Sequence, residues 1–323
     1  MKVALCFIIS YSHNLNKEQI WKDWIEPNKD IINIYFHYKD FNAIKSPWIK
    51  KYCLPLKNIS KTSYYFVVPA YMSILSFAFS HDLENKWFCM LTDSCVPIIS
   101  PQQFRLLFTN YYPISIFKWK PAYWNIEIHC RGNLKYFNKE YHLANDPWFT
   151  LTRTHVHKCI LFLLKKNNIY KQVCKGGLAN ESLFAIILQT FKELKNSWTL
   201  INESSTIADW NKMSNATSPH IFKGTNDEIE YIHKSLIDNK YAMFLRKISC
   251  HFPDDKLKKI IYENKSSHCF NNQFINRIKS KKNYLFYFKK IMIIAFFLFF
   301  LFLTFPSLTT INTSNKCSHW FIC

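Results

Sequence analysis

Only 4 of the 323 residues are glycine, while 49% are hydrophobic and 18% aromatic. That balance excludes a disordered or low-complexity chain and leaves ample core for one large domain or two small ones. No internal repeat is present. The 11 cysteines include no C-x-x-C pair of the kind a zinc site uses. Odd in number, scattered and often inside apolar runs, they read as small core residues in a reduced compartment. Acidic residues are scarce too, 22 against 42 Lys and Arg, for a net charge of +20. The excess is uneven: positions 256–290 carry ten basic residues and one acid, Glu263. A uniform basic surface with interleaved aromatics would point to nucleic acid. Here the basic stretch abuts an apolar run, which favours a membrane surface, and no nucleic-acid partner is expected.

That run, Ile291 to Phe305, is interrupted only by Thr304 and extends to Leu308 across Pro306. Its eighteen residues reach about 27 Å as a helix, enough to span a bilayer. Arg277, Lys279, Lys281, Lys282, Lys289 and Lys290 precede it and only Lys316 follows, so the positive-inside rule puts the large N-terminal part in the cytosol. The expected order is a domain over 1–253, a basic juxtamembrane linker over 254–290, a transmembrane helix over 291–308 and a short tail over 309–323. The implied location is an endomembrane of the ER or Golgi kind, with one C-terminal pass. Five glycosylation sequons lie before the span, at Asn58, Asn180, Asn202, Asn215 and Asn264, and a sixth at Asn312 after it. With a cytosolic domain the five stay unmodified. The opening apolar stretch is too short for a signal peptide and reads as a first buried strand.

The soluble part alternates strand and helix signals. Val3–Ser10, Ile31–Tyr38 and Trp87–Leu91 read as strands, Gln19–Ile25 as a helix, and Tyr65–Ala78 as a strand running into a helix. Ser100-Pro101-Gln102-Gln103 has the form of a capping box opening another helix. The fold class is therefore α/β, with a mostly parallel sheet. Ligands in such sheets bind at the carboxyl ends of the strands, which draws attention to His37 and to Asp93, Ser94 and Cys95. Further on, Gly176 and Gly177 mark a turn, Asn180 has the chemistry of a helix cap, and Leu183, Phe184, Ile187 and Leu188 recur at helical spacing. Glu181 then opens a helix, as the only carboxylate between Asp146 and Glu193. At the positive end of the helix dipole it stays ionised, as a general base requires. The bland alternative is an ordinary acid in a first helical turn.

Several segments, in order, resemble the core-2/I-branching β-1,6-N-acetylglucosaminyltransferase family with its plant and viral relatives. They are Lys2–Phe7, Asn33-Ile34-Tyr35-Phe36-His37-Tyr38, Lys86–Pro97 (the best single match), Asn145–Arg153 and Ala179-Asn180-Glu181-Ser182-Leu183. Ala208-Asp209-Trp210, Ser218–Phe222 and Ala242–Ile248 complete the set, which covers roughly residues 1–250. Asn180 departs from the family's acidic neighbour of the base, and Asn145-Asp146-Pro147 from its Gly-Ser stretch.

The resemblance implies a single nucleotide-sugar glycosyltransferase domain of the GT-A type, with one Rossmann-type sheet. It also implies inversion at the anomeric carbon without a metal, and the absence of a convincing Asp-x-Asp at a strand end agrees with that. It makes Glu181 the catalytic base. Tyr35 and His37 fall by the nucleotide base, Asp93, Ser94 and Cys95 along the donor site, and Lys247 with Arg246 at the leaving diphosphate. Trp148, Phe149, Arg153 and Trp210 are acceptor-side candidates, aromatic faces being suited to sugars. No cofactor is expected beyond a UDP-sugar donor. The expected partners are that donor, a glycan, lipid or protein acceptor, and the membrane. A catalytically inactive, membrane-anchored adaptor of the same fold is the alternative, and Asn180 is its best support.

Overall fold

The structure is a computed structural model that describes residues 1–214 and 218–263, together with residues 292 and 294. Two compact units divide the chain, 1–268 and 269–323. Residues 264–290 of the stretch read as a juxtamembrane linker, the stretch read as a transmembrane helix apart from residues 292 and 294, and the tail lie outside the described residues. Among the described residues no helix is long and apolar enough to cross a membrane.

Strands β1 (Lys2–Ile8), β2 (Ile32–His37) and β3 (Asn85–Thr92) pair in parallel with β1 in the middle. From Val3 to Phe7 every β1 side chain is buried. That explains the unbroken apolar reading, because a central parallel strand is covered on both faces. Helix α1 (Glu18–Ile25) follows β1, and α2 (Pro47–Lys51) and α3 (Val68–His81) follow β2. After β3 come β4 (Val96–Pro97), α4 (Pro101–Tyr111), β5 (Ser115–Ile116), β6 (Trp119–Pro121), β7 (Leu143–Asn145) and β8 (Thr150–Thr152). Helices α5 (Arg153–Lys165), α6 (Asn167–Cys174) and α7 (Leu183–Thr190) lead to β9 (Leu200–Ile201) and β10 (Thr206–Ala208). The described domain closes with α8 (Asn226–Asp238), β11 (Phe244–Arg246) and α9 (Asp254–Glu263).

The main sheet runs β2-β1-β3-β8-β5-β9, antiparallel where β8 meets β3 and β5 and parallel elsewhere. A second sheet, β10-β11-β4, and a ribbon of β6 and β7 complete the β structure among the described residues. Strand alternation divides the core into two layers. Ala4 and Cys6 of β1 and Phe88 and Met90 of β3 pack with Tyr71, Leu75, Val156 and Phe184 from α3, α5 and α7. On the other face Phe7 meets the Trp21 ring edge-on at 4.9 Å, Trp24 meets Phe104 at 4.8 Å, and Phe244 joins them. The second sheet is thereby pressed against α1 and α4. Both tryptophans also satisfy their indole N–H, Trp21 on the Cys95 carbonyl and Trp24 on that of Ile99.

The capping box at Ser100 and Gln103 forms as its sequence requires. Three readings change. Residues 63–66 make an isolated antiparallel bridge and a turn rather than a strand before α3. The domain also runs past 253: α9, in the segment read as linker, buries Leu257, Ile260 and Ile261, and Lys17 pairs with Asp254 at 2.7 Å. Finally, Glu181 belongs to a 3-10 turn, Ala179–Glu181, and α7 starts two residues later.

Beneath that turn, the Phe184 ring lies 4.6 Å from Phe149 and 5.7 Å from Tyr71. Phe184→Ala is expected to cost about 3–5 kcal/mol by leaving a cavity among aromatic neighbours. Chemical denaturation of both proteins measures this directly, and a loss below about 1 kcal/mol would show that the layer collapses around the gap.

Candidate active site

Two clefts meet at Glu181. The first, about 460 Å³, opens at the carboxyl ends of the three parallel strands. Its lining includes Ser10 and Tyr11 after β1, His37 at the end of β2 and Lys39 beyond it, Asp93 and Ser94 after β3, and Arg246 and Lys247 at the end of β11. The second, about 710 Å³, is walled by Trp119, Tyr123, Trp124, Arg131, Asp146 and Asp238 among others. Pro147, Leu178, Glu181 and Trp210 line both.

Pairing within the sheets supplies the first cleft's chemistry. The Ser10 amide donates to the Asp93 carboxylate at 3.0 Å, tying the ends of β1 and β3 together. Leu245 pairs with Val96, which brings the end of β11 beside the turn after β3. Arg246 there donates to the Ser94 hydroxyl at 2.7 Å and to that of Thr92, with its guanidinium carbon 4.3 Å from the Trp148 ring centroid. Lys247 is half-buried in the same wall. Burial, with Arg246 beside it, pulls its pKa below the usual lysine range, an environment that favours an anionic partner. His37 lines the cleft but its Nε2 accepts the Ser60 amide at 3.2 Å. Burial lowers its pKa to about 4, so it is neutral and anchors the 60–66 strap.

Backbone packing that only glycine permits fixes Glu181. A Cβ on Gly176 would stand 2.4 Å from both the Asn133 amide nitrogen and the Cys130 carbonyl oxygen. Gly132, at φ +58°, donates its amide to the Gly177 carbonyl at 3.1 Å. The 130–133 turn and the 176–181 turn are thus interlocked, and Arg131 reaches Glu181 at 3.4 Å. Asn145 completes the arrangement from β7. Its Nδ2 donates to the Asn180 carbonyl at 2.9 Å, and its Oδ1 accepts the Ala185 amide at 3.2 Å. That second bond satisfies an open amide in the first turn of α7. The capping role read for Asn180 therefore falls to Asn145.

The expected electrostatics of Glu181 also change. The dominant influence is burial, which raises its pKa above the ordinary glutamate range; Arg131 opposes this and the charge of Asp146 adds to it. A base with a raised pKa binds a transferred proton more firmly than one depressed by a helix dipole.

Eight of the twelve candidate residues line a cleft: Glu181, His37, Asp93, Ser94, Arg246, Lys247, Trp148 and Trp210. Trp148 faces the strand-end cleft rather than the aromatic one, stacking on Trp210 at 6.3 Å. The other four are structural. Tyr35 lies in the core, its hydroxyl 3.2 Å from His81 Nδ1 and accepting Asn85 Nδ2 at 3.1 Å, because two residues before His37 the strand is covered by Phe77 and His81 of α3. Cys95 is fully buried against Thr92. Phe149 is core, packed on Phe184. Arg153 binds the Phe79 carbonyl at 2.8 Å and lies over the Phe79 ring, where it closes the end of α3. Arg131, Tyr123, Trp119, Trp124, Lys39 and Tyr64 were not singled out by the sequence. For Arg131 a signal existed: its neighbour Gly132 is one of only four glycines.

Among the described residues no group of three or more His, Cys, Asp or Glu is arranged to hold a metal ion.

An α/β domain with a strand-end cleft, paired cations and a carboxylate at the junction with an aromatic cleft suits transfer of a group between two bound molecules. A family model, Core-2/I-Branching enzyme, matches residues 5–236. The chain belongs to the core-2/I-branching enzyme family, which is a family of glycosyltransferases. No curated protein matches it. The matched stretch runs from β1 to α8 and stops short of β11 with Arg246 and Lys247.

Gly176→Ala is the sharpest test of the interlocked turns. The added methyl meets backbone atoms, which cannot swing aside, so a loss of about 1–3 kcal/mol is expected. Gly177→Ala, whose Cβ would meet only Tyr65 at 3.6 Å, serves as the mild control. Equal melting temperatures for the two variants would contradict the packing described.

Proposed function

We propose that this protein is an inverting, metal-independent glycosyltransferase. It moves N-acetylglucosamine or a related sugar from a UDP-sugar to a hydroxyl of a glycan, lipid or protein acceptor. The observation that carries this reading is the position of Glu181 on the wall shared by the two clefts. A donor in the strand-end cleft and an acceptor in the aromatic cleft would meet there. Trp119, Trp124 and Trp210 offer faces for sugar rings, and Tyr123 adds an edge with a hydroxyl.

In the proposed reaction the Glu181 carboxylate takes the proton of an acceptor hydroxyl. That oxygen bonds to the anomeric carbon from the face opposite the leaving group. The bond from that carbon to the diphosphate oxygen breaks, and UDP leaves with the electron pair. Lys247 and Arg246 would balance the charge on the departing diphosphate. Arg246 is held rigid by two hydroxyls and Trp148, so it would act without reorganisation.

Glu181→Gln should lower transfer by about 10²–10⁴-fold, with UDP affinity and melting temperature little changed. Lys247→Ala should weaken UDP binding, and transfer should persist in excess chelator. Wild-type turnover by the Gln variant would remove Glu181 as base. Loss of turnover in chelator, restored by manganese, would overturn metal independence.

The raised pKa of Glu181 gives a pH dependence of known sign. Protonation disables the base, so kcat/KM should fall as pH drops through that raised value, above the range of an ordinary glutamate. An acid limb that stays flat down to pH 4 would contradict it.

The same proposal anchors the enzyme by the apolar run 291–308, with the domain in the cytosol. The basic flank supports this, and so does the burial of Asn180: the folded domain could not accommodate a glycan on that sequon. Protease added to intact microsomes should then digest the domain, and glycosidase should leave its mass unchanged.

A further inference from the structure

Helix α8 opens on a carboxylate that does more than cap it. Glu228 is buried and lies outside the lining of both clefts. A capping box asks one bond of such a residue, from the amide that precedes the helix. Glu228 Oε2 takes three, from the successive amides of Lys223 at 2.8 Å, Gly224 at 2.6 Å and Thr225 at 3.0 Å. Gly224, at φ +91°, lets the three converge on one oxygen. His220 donates from Nε2 to the other oxygen, Oε1, at 2.6 Å. Four donors offset the cost of burying the charge, and they close residues 220–225 into one clasped loop.

The far edge of that loop carries the backbone of Lys247. The His220 carbonyl accepts the Lys247 amide at 3.4 Å, and the Lys247 carbonyl accepts the Phe222 amide at 2.9 Å. The Phe222 carbonyl in turn accepts the Ser249 amide at 2.9 Å, which makes a parallel bridge between Phe222 and Ile248. Both backbone groups of Lys247 are therefore bonded to residues inside the clasp. Arg246 beside it is fixed differently, by its own side chain on Thr92, Ser94 and Trp148. We infer that Glu228 is a positioning residue for the donor: from outside both clefts it clasps the 220–225 loop, and the loop sets where Lys247 stands on the donor wall. This rests on the proposed transfer reaction, in which Lys247 faces the leaving diphosphate. A loosened loop would leave Lys247 its charge but not its place, and a displacement of about 1 Å is enough to weaken a charge-assisted contact.

The test is a double-mutant cycle on the full chain in detergent micelles, with UDP binding read by calorimetry well below the melting temperature. Glu228→Ala is expected to raise the UDP dissociation constant about tenfold. In the Lys247→Ala background the same change is expected to alter it by less than about twofold, because the cation it positions is gone. A role confined to capping α8 would lower the melting temperature in both backgrounds, but it would not make the loss of affinity depend on Lys247. An affinity that Glu228→Ala leaves at the wild-type value, or an equal loss repeated without Lys247, overturns the inference. If Glu228→Ala does not fold, His220→Ala takes its place in the cycle, with the same expected dependence on Lys247. That variant removes one tie of the clasp and leaves the three amides on Glu228. Should the wild type bind no UDP, the proposed reaction falls. Hydrogen exchange at the Lys247 and Ser249 amides needs no ligand and still decides the part assigned to Glu228. Faster exchange there in the variant, with Leu245 unchanged, upholds it; equal rates overturn it.

Discussion

The site depends on one contact between two stretches of backbone. Gly176 lies flat on the 130–133 turn, at a spacing no side chain could share, and Gly132 takes the left-handed conformation that lets the other strand of that contact close. Everything at the junction of the clefts inherits its position from this. The 3-10 turn of Glu181 starts three residues beyond Gly176, and Arg131 adjoins Gly132. Leu178, between them, donates its amide to the Tyr65 carbonyl and so also ties the junction to the strap that His37 anchors. Three of the four glycines in the chain are spent here, and the fourth, Gly224, sits at φ +91° where Glu228 gathers the amides opening α8. Of the four, Gly176 is required by backbone lying against it, and Gly132 and Gly224 by their positive φ.

Desolvation then sets the charges. Glu181, Asp146 and Lys247 are all driven by burial toward their neutral forms, and each is drawn back by charged neighbours of opposite sign. Groups balanced in this way respond strongly to a bound partner, because a ligand that adds or removes one charge changes the balance. His37 shows the other limit. Burial, with the charge of Lys39 adding to it, leaves it neutral, and its Nε2 accepts the Ser60 amide.

Much of the fold was legible in the chain because burial and period coincide. The three central strands read as apolar runs since both faces are covered, and the helix at Ser100 announces itself by its capping box. The site was legible where a residue's role follows from its place at a strand end: Asp93, Ser94 and His37 each line the cleft as the strand-end rule requires. Tyr35 was not, because two residues before His37 on the same strand it belongs to the covered stretch of the sheet, and its polar tip is satisfied inside by Asn85. Phe149 and Arg153 were misread for a related reason. An aromatic or cationic side chain near a motif has the same appearance in sequence whether it faces a cleft or fastens the core. Asn145 was missed because Asn180 lies 35 residues away, a relation no local pattern encodes; Gly132 marks the turn beside Arg131, but nothing local names its partner Glu181, 50 residues on.

Arg246 and Lys247, adjacent in sequence, are built for different work. The Arg246 fork is already committed, with one nitrogen on the hydroxyls of Thr92 and Ser94 and its plane over Trp148. Its charge is permanent and its position fixed, so it presents a steady positive field at the end of β11. Lys247 lies next to that field, and the field itself is one cause of its weakened hold on a proton. Two cations so close repel each other; Asp93 offsets part of that at Lys247, and an anion bound between them would offset more. The pair therefore carries an unfavourable interaction that a negatively charged ligand would reduce further. That makes the wall selective for anions before any hydrogen bond to the ligand is formed.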